Sequence, residues 1–410
     1  MPKQRTPVRE RFIRVMRHGD VSQGIPIIEW AGYWDLTLKN WLSQGLSEGM
    51  DLYQTHEHFG LDAHFQHWFW SVTGKTPQPA SHGAPIVRDA KEYEEILPTL
   101  YPEIGFDPAA MEMRARRQAE GSALLWITLD GPFWFPRRLL GIEPHLLAFC
   151  ENPDLMKRIN QDIANFNIRA IEAVCKFYRP DFMTFAEDMS YNHGSMISRE
   201  LFEEFMAPYY RQMLPVLKKY DIMPIIDSDG DVEPIIPWFE AIGVEGILPL
   251  ERMAGVDVNR IRRNHPEWKM IGGFDKTVMH LGEEALRAEF QRIKPAVLAG
   301  RYIPSVDHQT PPAVGLDDYR LYVRLLHEFS DEVAREAAPL PPRRKANPAP
   351  PKKPKPPAPK RPKPPARKKG KTVARKRIPP PARGKAKPPA RKKTQTPKDG
   401  SKKRKGVRRT

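Results

Sequence analysis

The stretch IMPIIDSDGDVEPIIPWFEAIGVEGILPLE, residues 222–251, contains two short apolar runs separated by a longer amphipathic segment. Strand-length apolar runs that alternate with helix-length segments are typical of βαβ units, in which the strands are parallel. The first run leads into four acidic residues within seven positions, Asp227, Asp229, Asp231 and Glu233. Carboxylates this close repel one another unless a cation or water lies among them, so the cluster calls for an explanation.

The same alternation extends on both sides of this stretch, from about residue 122 to a final helical segment, 315–337. Residues typical of helix starts occur at three places in this region, namely Asn152-Pro153, Ser198 with Glu200, and Asp317-Asp318. The first 120 or so residues are rich in aromatic side chains and less regular. They predict an N-terminal helical elaboration that also supplies the first strand.

Polar side chains follow strand after strand along this part of the chain. They are Asp130, Glu187-Asp188, Asp227 with Asp229, Glu251, Asp275-Lys276 and Asp307-His308. In a (β/α)8 barrel the carboxyl ends of all strands meet at one mouth, where active sites lie, whereas an open sheet has one switch point. We therefore predict an α/β fold with a single TIM (β/α)8 barrel over 21–337, preceded by an N-terminal extension over 1–20.

Three other interpretations of these motifs are weaker. No glycine-rich phosphate-binding loop follows any predicted strand, which disfavours a nucleotide-binding fold. A calcium-binding EF-hand loop requires glycine at its sixth position and glutamate at its twelfth, but Gly230 is fourth and Trp238 twelfth. A phosphatase of the D-x-D-G-T type opens its domain with that motif, whereas here more than half of the chain precedes it. For Asp231 and Glu233, capping of a helix start is the favoured interpretation.

The segment 338–410 has a different composition from the rest of the chain. Residues 341–410 contain 29 of the 66 Lys and Arg residues and one acidic residue, Asp399, so they carry a charge of +28. The remaining 37 basic and 49 acidic residues give residues 1–340 a net charge of −12. A Pro-rich segment with few large apolar side chains cannot form a core, which predicts a disordered basic tail. Such a tail binds nucleic acids or other polyanions with little sequence preference.

The remaining composition indicates a cytoplasmic protein. The two cysteines, Cys150 and Cys175, have neither metal-ligand nor redox spacing and are expected to be free thiols. No apolar run approaches the ~20 residues that cross a bilayer, and the basic N-terminus lacks the apolar core of a signal peptide. We therefore expect no membrane partner.

Two further motifs contain candidate site residues. In YIPSVDHQTPP, prolines stiffen the backbone around Asp307 and His308, and an imidazole beside a carboxylate at a strand end suits proton transfer or metal ligation. In GGFDK, Lys276 either binds an anionic group of a substrate or pairs with Asp275. The histidines of HEHFGLDAHFQHWFW, residues 56–70, lack a zinc motif and are assigned to aromatic packing or the surface.

On the basis of these residues, the chain resembles the uroporphyrinogen decarboxylase superfamily over roughly residues 20–335. The motifs that carry the resemblance are FAEDMSYNHGSMISRELFEEFMAPYYRQM, DSDGDVEPIIPWFEAIGVEGILPLE, IGGFDKTVMHLG and GRYIPSVDHQTPP. The resemblance implies a single TIM barrel, in agreement with the strand-end argument. Members of this superfamily are often homodimers, and they include a tetrapyrrole decarboxylase and corrinoid-dependent methyltransferases.

The decarboxylase branch fits this chain less well. That branch has an Arg-rich MRQAGRY stretch that binds substrate carboxylates, whereas the corresponding region here, PIIEWAGYWDLTLKNW (26–41), has Glu29 and Asp35 but no Arg. An aspartate that binds the pyrrole NH groups in that branch also has no counterpart. An acidic, aromatic entrance suits a substrate with several carboxylates poorly. His308 does match a histidine in the last strand of the decarboxylase.

The methyltransferase branch implies a metal site with altered ligands. Members that methylate thiols hold zinc with His-x-Cys after one strand and Cys after the last; here Asp227-Ser228-Asp229 and His308 take those places. The implied metal ligands are Asp227, Asp229, Glu251 and His308. Carboxylate and imidazole ligands suit zinc, manganese or iron, so the divalent metal or the substrate differs. Alternatively no metal binds, and Asp227 with His308 forms an acid–base pair.

The sequence thus predicts a metal-assisted, corrinoid-linked methyltransferase acting on a small molecule, with a corrinoid protein as partner. The catalytic residues are expected to be Asp227, His308 and Glu187. The substrate-binding residues are expected to be Trp30, Tyr33, Trp34, Lys276 and Asp188, with the aromatic ones covering a flat ligand such as a corrinoid. Two alternatives stay open: decarboxylation of a porphyrinogen-like tetrapyrrole, and a non-catalytic barrel whose tail binds nucleic acid.

Overall fold

A computed structural model describes residues 6–338 of the chain. The predicted tail lies outside the described residues apart from Ala338. No helix among the described residues is long and apolar enough to cross a membrane.

Seven parallel strands form one curled sheet in the order β1-β2-β3-β6-β7-β8-β9. They are β1 His64–Phe69, β2 Leu124–Asp130, β3 Phe182–Ala186, β6 Met223–Ser228, β7 Gly246–Pro249, β8 Lys269–Phe274 and β9 Tyr302–Val306. A small antiparallel hairpin, β4 Ser190–Tyr191 and β5 Gly194–Ser195, follows β3. The parallel sheet confirms the predicted fold class, because each strand returns through helices on its outer face.

Fourteen helices are present in the described residues. They are α1 Val8–His18, α2 Asp35–Ser43, α3 Leu52–Phe59, α4 Ala90–Ile96, α5 Pro108–Ala119, α6 Trp134–Leu140, α7 Ile142–Glu151, α8 Pro153–Val174, α9 Arg199–Phe205, α10 Ala207–Lys219, α11 Ile236–Ile242, α12 Val258–Asn264, α13 Glu283–Leu298 and α14 Leu316–Ala337. Three helix starts match the sequence signals. Pro153 opens α8, Ser198 caps α9 by accepting from Leu201 N at 3.3 Å, and Asp318 accepts from Gly315 N before α14.

The segment 25–30, which is not a strand of the sheet, lies between β9 and the residues just before β1. On one side Trp30 N donates to Ser305 Oγ at 3.2 Å, and on the other Ile27 O accepts from Asp62 N at 2.7 Å. The segment therefore links the two edges of the seven-stranded sheet, and the N-terminal part of the chain contributes to the wall of the barrel as well as supplying helices.

Helix α1 closes the opposite end of the barrel from the predicted mouth. Its side chains Phe12, Val15 and Met16 are fully buried, and Phe12 stacks on Phe182 at the start of β3. Val15 O also accepts from Arg301 N, just before β9, at 3.0 Å. Because these partners all lie at the amino ends of strands, α1 covers the bottom of the barrel.

Candidate active site

The polar strand ends predicted from the sequence meet at the carboxyl end of the barrel. Within β6 every residue is buried except Asp227, at the position where the strand reaches the mouth. Backbone hydrogen bonds tie the neighbouring strand end to it, because Glu187 N donates to Asp227 O at 2.8 Å. Residues far apart in the sequence are therefore brought to one rim.

Three of the four predicted metal ligands converge. A carboxylate oxygen of Asp229, a carboxylate oxygen of Glu251 and a ring nitrogen of His308 all lie within 4.8 Å of one another. His308 Nε2 is 3.7 Å from Asp229 Oδ2, and this carboxylate raises the pKa of His308. All three side chains are half-buried, so they are reachable from the mouth. We refer to Asp229, Glu251 and His308 as the acid–histidine cluster.

The loop after β6 is held in place by a glycine. Gly230 has φ +84°, and a Cβ there would lie 2.7 Å from backbone atoms of Tyr191 in the hairpin. Its N–H donates to Glu251 Oε2 at 3.0 Å, and Asp231 N donates to Tyr191 O at 2.9 Å. A left-handed residue without a side chain is therefore needed where the loop approaches both the hairpin and the cluster.

Asp231 and Glu233 serve the loop rather than the cluster. Asp231 Oδ1 accepts from Glu233 N at 3.4 Å, at the start of a 3-10 turn, and Glu233 pairs with Arg260. The bond of Asp231 resembles the capping role favoured from the sequence, whereas Glu233 is in an ion pair instead.

Asp227, the fourth predicted ligand, lies outside the cluster. Its carboxyl group is half-buried and accepts no hydrogen bond from the described residues. Burial, followed by the nearby Asp188 and Asp229 carboxylates, raises the pKa of Asp227 well above its ordinary value. Burial and like charges both favour the neutral form of this carboxyl group over its charged form.

Asp188 connects the end of β3 to the loop. Its backbone has φ +42°, a left-handed conformation that Asp tolerates, and its Oδ1 accepts from Asp229 N at 3.4 Å. Burial and the Asp229 carboxylate raise the pKa of Asp188 to about 6. Leu250, beside Glu251, also has a positive φ of 70°, which is rare for a branched residue. Two strained positions thus flank the cluster, as is common at functional sites.

Glu187 lies beneath the mouth with no exposed surface. Its carboxyl group accepts from the Tyr210 hydroxyl, from Phe133 N at 2.8 Å and from Trp134 N at 3.1 Å. Burial outweighs these donors and raises the pKa of Glu187 to about 8. In this arrangement Glu187 holds the turn between β2 and α6 against β3, and it has no direct access to a ligand in the mouth.

The raised pKa of Glu187 is expected to make folding stability fall as the pH rises from about 4.5 to about 8. In that window the folded chain keeps a proton that the unfolded chain releases, so the free energy of unfolding falls by up to about 1.4 kcal/mol per pH unit. Glu187→Gln cannot titrate, and its unfolding free energy in urea should fall less steeply with pH than that of the wild type. Parallel pH profiles for the two proteins would contradict the assignment.

Lys276 is paired within the site. Its Nζ lies 3.3 Å from Glu251 Oε1 and 3.7 Å from Asp307 Oδ1, whereas Asp275 caps the following turn by accepting from Thr277 N. The sequence left two interpretations open, in which Lys276 either binds an anionic group of a substrate or pairs with Asp275. In the structure Lys276 pairs with Glu251 and Asp307 instead of Asp275. Asp307 is fully buried and also accepts from Arg252 N at 2.8 Å, which fixes its carboxylate.

The three predicted aromatic residues have different surroundings. Trp30 is half-buried, donates from Nε1 to Val306 O at 2.8 Å and lies edge-on to the His308 ring at 6.0 Å. Trp34 is 41% exposed. The prediction for Tyr33 is wrong, because its ring is buried and its hydroxyl donates to that of Tyr319 at 3.0 Å. Only two of the three rings are available to a ligand.

The histidines of residues 56–70 pack in the interior or at the surface. His56 and His64 are buried and stack at 4.7 Å, and burial lowers the pKa of each. Both are therefore neutral, and the packing role expected from the sequence is confirmed for this pair.

Sequence reasoning missed the residues that follow β2. Arg137 Nη1 donates to Asp188 O at 3.0 Å, and Arg138 Nη1 pairs with the buried Asp130 at 3.1 Å. The segment DGPFWFPRRLL follows a predicted strand end directly, so its two arginines were a usable signal of a basic group beside the mouth.

A parallel β/α barrel whose acidic and imidazole side chains surround the carboxyl ends of the strands has the architecture of the TIM-barrel enzymes. The model of the uroporphyrinogen decarboxylase (URO-D) family matches residues 70–329, more than half of the sequence. The chain belongs to this family, which confirms the resemblance noted from its motifs.

One solved structure supports the fold. The chain is similar to a methyltransferase from Methanosarcina mazei, with 15% identity and a TM-score of 0.53, over 79% of this chain and 99% of that one. It is also similar to a candidate vitamin-B12-independent methionine synthase from Listeria monocytogenes, with 11% identity and a TM-score of 0.41, over 76% and 97% of the two chains. The first similarity shows the fold alone, and the second is too weak to support an argument. No curated protein sequence matches the chain.

Proposed function

We propose that this URO-D family barrel is a methyltransferase that uses a divalent metal held by Asp229, Glu251 and His308. The observation that supports this most directly is the convergence of their ligand atoms within 4.8 Å. Two carboxylates and one imidazole suit zinc, manganese or iron. Three protein ligands also leave a coordination position for a substrate, as catalytic zinc sites do.

The side chains around the acid–histidine cluster suit a bound cation, although Lys276 competes with it for Glu251. Glu251 Oε2 is occupied by Gly230 N, so Oε1 is the oxygen free to bind a metal, and Lys276 Nζ lies 3.3 Å from it. Asp307, 3.7 Å from the same ammonium, gives Lys276 a second partner when Glu251 binds a metal. Metal binding therefore requires a small movement of one flexible side chain and leaves no unpaired charge behind.

When bound, a metal of this kind lowers the pKa of the acceptor group of the substrate and makes it nucleophilic. Asp227, whose carboxyl group has a raised pKa and no hydrogen-bond partner among the described residues, is available to take the proton that the acceptor group loses. Trp30 and Trp34 at the rim provide flat apolar surface for the methyl donor, for which we propose a corrinoid, free or on a carrier protein.

Asp227 also favours a second candidate function, decarboxylation of a porphyrinogen-like tetrapyrrole. Loss of CO₂ leaves a carbanion that must be protonated, and a carboxyl group in the mouth whose pKa is raised suits the role of proton donor. Against this, a substrate with several carboxylates would have to enter beside Asp188, Asp229 and Glu251, whose charges repel it.

The two functions are distinguished by activity assays on the full chain purified without chelator. With methylcobalamin and a small thiol, the methyltransferase is expected to consume methylcobalamin, followed by its absorbance, only in the zinc-loaded form. CO₂ release from uroporphyrinogen by metal-free protein, with no loss of methylcobalamin, would instead support the decarboxylase and contradict our first proposal.

A further inference from the structure

A separate cleft of about 270 Å³ lies beside the mouth, between the loop that follows β1 and helix α6. Its walls include Trp134, Arg137, Arg138, His82, Ile86 and Ile142. Among its lining residues are two arginines and a histidine but no Asp or Glu. In a body with a net charge of −12, this is a local reversal of sign that favours an anionic ligand.

Arg137 is the group in this cleft that is available to a ligand. No carboxylate of the described residues lies within 4.0 Å of its guanidinium, whereas Arg138 is neutralised by Asp130 at 3.1 Å. The Arg137 guanidinium lies over the Trp134 ring at 5.2 Å, and it is oriented by the hydrogen bond to Asp188 O. A half-buried, oriented guanidinium with free N–H groups matches a carboxylate bidentately.

The cleft is rigidly framed. Ile86 N donates to Leu139 O at 2.8 Å and Ile142 N to Gly83 O at 3.1 Å, so the loop is fastened both to α6 and to the start of α7. Gly141 makes this possible, because a Cβ there would lie 2.5 Å from Gly83 O. A preformed site loses little conformational entropy when a ligand binds.

The cleft is also next to the mouth. Arg137 contacts the carbonyl of Asp188, whose side chain accepts from Asp229 N, and Trp134 N donates to Glu187. Arg137 and Trp134 therefore connect the cleft directly to Asp188 and Glu187 at the mouth. The volume of the cleft is just below the range of pockets that bind drug-sized ligands, so the cleft accommodates one end of a small molecule.

We propose that this cleft binds the carboxylate end of a small organic acid, with Arg137 as the anion-binding residue and Ile86, Leu139 and Ile142 against the hydrocarbon part. As a substrate subsite it rests on the proposed function, since the other end of the acid would reach the acid–histidine cluster. The Arg137 guanidinium would hold the single carboxylate beside the acidic rim and offset its repulsion there.

The test uses binding of hexanoate, and of the neutral hexanamide, to the full chain in the presence of chelator, measured by calorimetry. We expect hexanoate to bind at least about tenfold more tightly than hexanamide and to lose about tenfold in affinity in Arg137→Gln. Arg169→Gln is the matched control, because Arg169 also lies over an aromatic ring, Phe166, but on another helix. The affinity of Arg169→Gln for hexanoate should equal that of the wild type. Any binding of hexanoate to the basic tail contributes equally in both variants.

Equal affinities for hexanoate and hexanamide, or an unchanged affinity in Arg137→Gln, would overturn the proposal. Should Arg137→Gln fold poorly, Ala84→Phe fills the cleft without changing its charge and should also remove hexanoate binding. Because no metal or methyl donor is present, failure here is distinct from failure of the methyltransferase assay.

Discussion

Replacing His308 with alanine is expected to lower the affinity of the chain for zinc by at least about 100-fold. Loss of outer-shell partners alone costs metal sites about 10- to 100-fold, and removal of a direct ligand costs at least as much. The imidazole is the only nitrogen ligand in the acid–histidine cluster, so its loss leaves two carboxylates. Asp229→Asn should have a similar effect, since it removes the charge that lies 3.7 Å from His308. Titration of chelator-treated protein with zinc, followed by calorimetry, measures both.

The control for this experiment is Asp317→Asn. The Asp317 side chain is 95% exposed, and its one ion pair among the described residues is with Arg320 on the same helix. Its zinc affinity should equal that of the wild type. If His308→Ala and Asp229→Asn bind zinc as the wild type does, the cluster is not the metal site, and the methyltransferase proposal loses its support.

The second large effect is expected from Gly131→Ala, which should destabilise the folded barrel by about 3 kcal/mol or more. A Cβ at Gly131 would lie 2.2 Å from Glu187 Cδ, so the buried carboxyl group must move. Overpacking of this kind costs about 1–3 kcal/mol by itself. Displacing Glu187 also leaves Phe133 N, Trp134 N and the Tyr210 hydroxyl without their acceptor, which adds to the cost.

Gly74→Ala is the matched substitution, because no atom lies within 4 Å of the position that its Cβ would occupy. Chemical denaturation should therefore show a change of less than about 0.5 kcal/mol for this variant. Similar unfolding free energies for the two alanine variants would show that Glu187 is not held as described.

The barrel was predictable because its strands are nearly continuous apolar runs that end in charged residues. All seven residues of β2 and all five of β3 are buried, so the strands stand out from the amphipathic helices between them. The segment 25–30 was harder to place. It bonds to its neighbours largely through the side chains of Ser305 and Asp62, a pattern that no periodicity reveals.

The site was predictable where a residue follows a strand and less so elsewhere. Asp229, Glu251 and His308 follow three different strands, and the parallel sheet places them together. Tyr33 was misassigned because the sequence around an aromatic loop residue does not show whether its ring contacts a ligand. Here the ring packs on Tyr319. The orientation of Arg137 could not be predicted, because the contact that fixes it, with a backbone carbonyl fifty-one positions away, leaves no trace in the sequence.

The contact between segment 25–30 and β9 has a consequence for biosynthesis. Trp30 and Ser305 are 275 positions apart, so the wall of the barrel cannot close until most of the chain has left the ribosome. At about 5–20 residues per second, the early strands wait roughly 15–55 s with one edge unpaired. Pairings of such long range also fold slowly once synthesis ends. The nascent chain therefore has a prolonged interval in which an unpaired strand edge is exposed to aggregation.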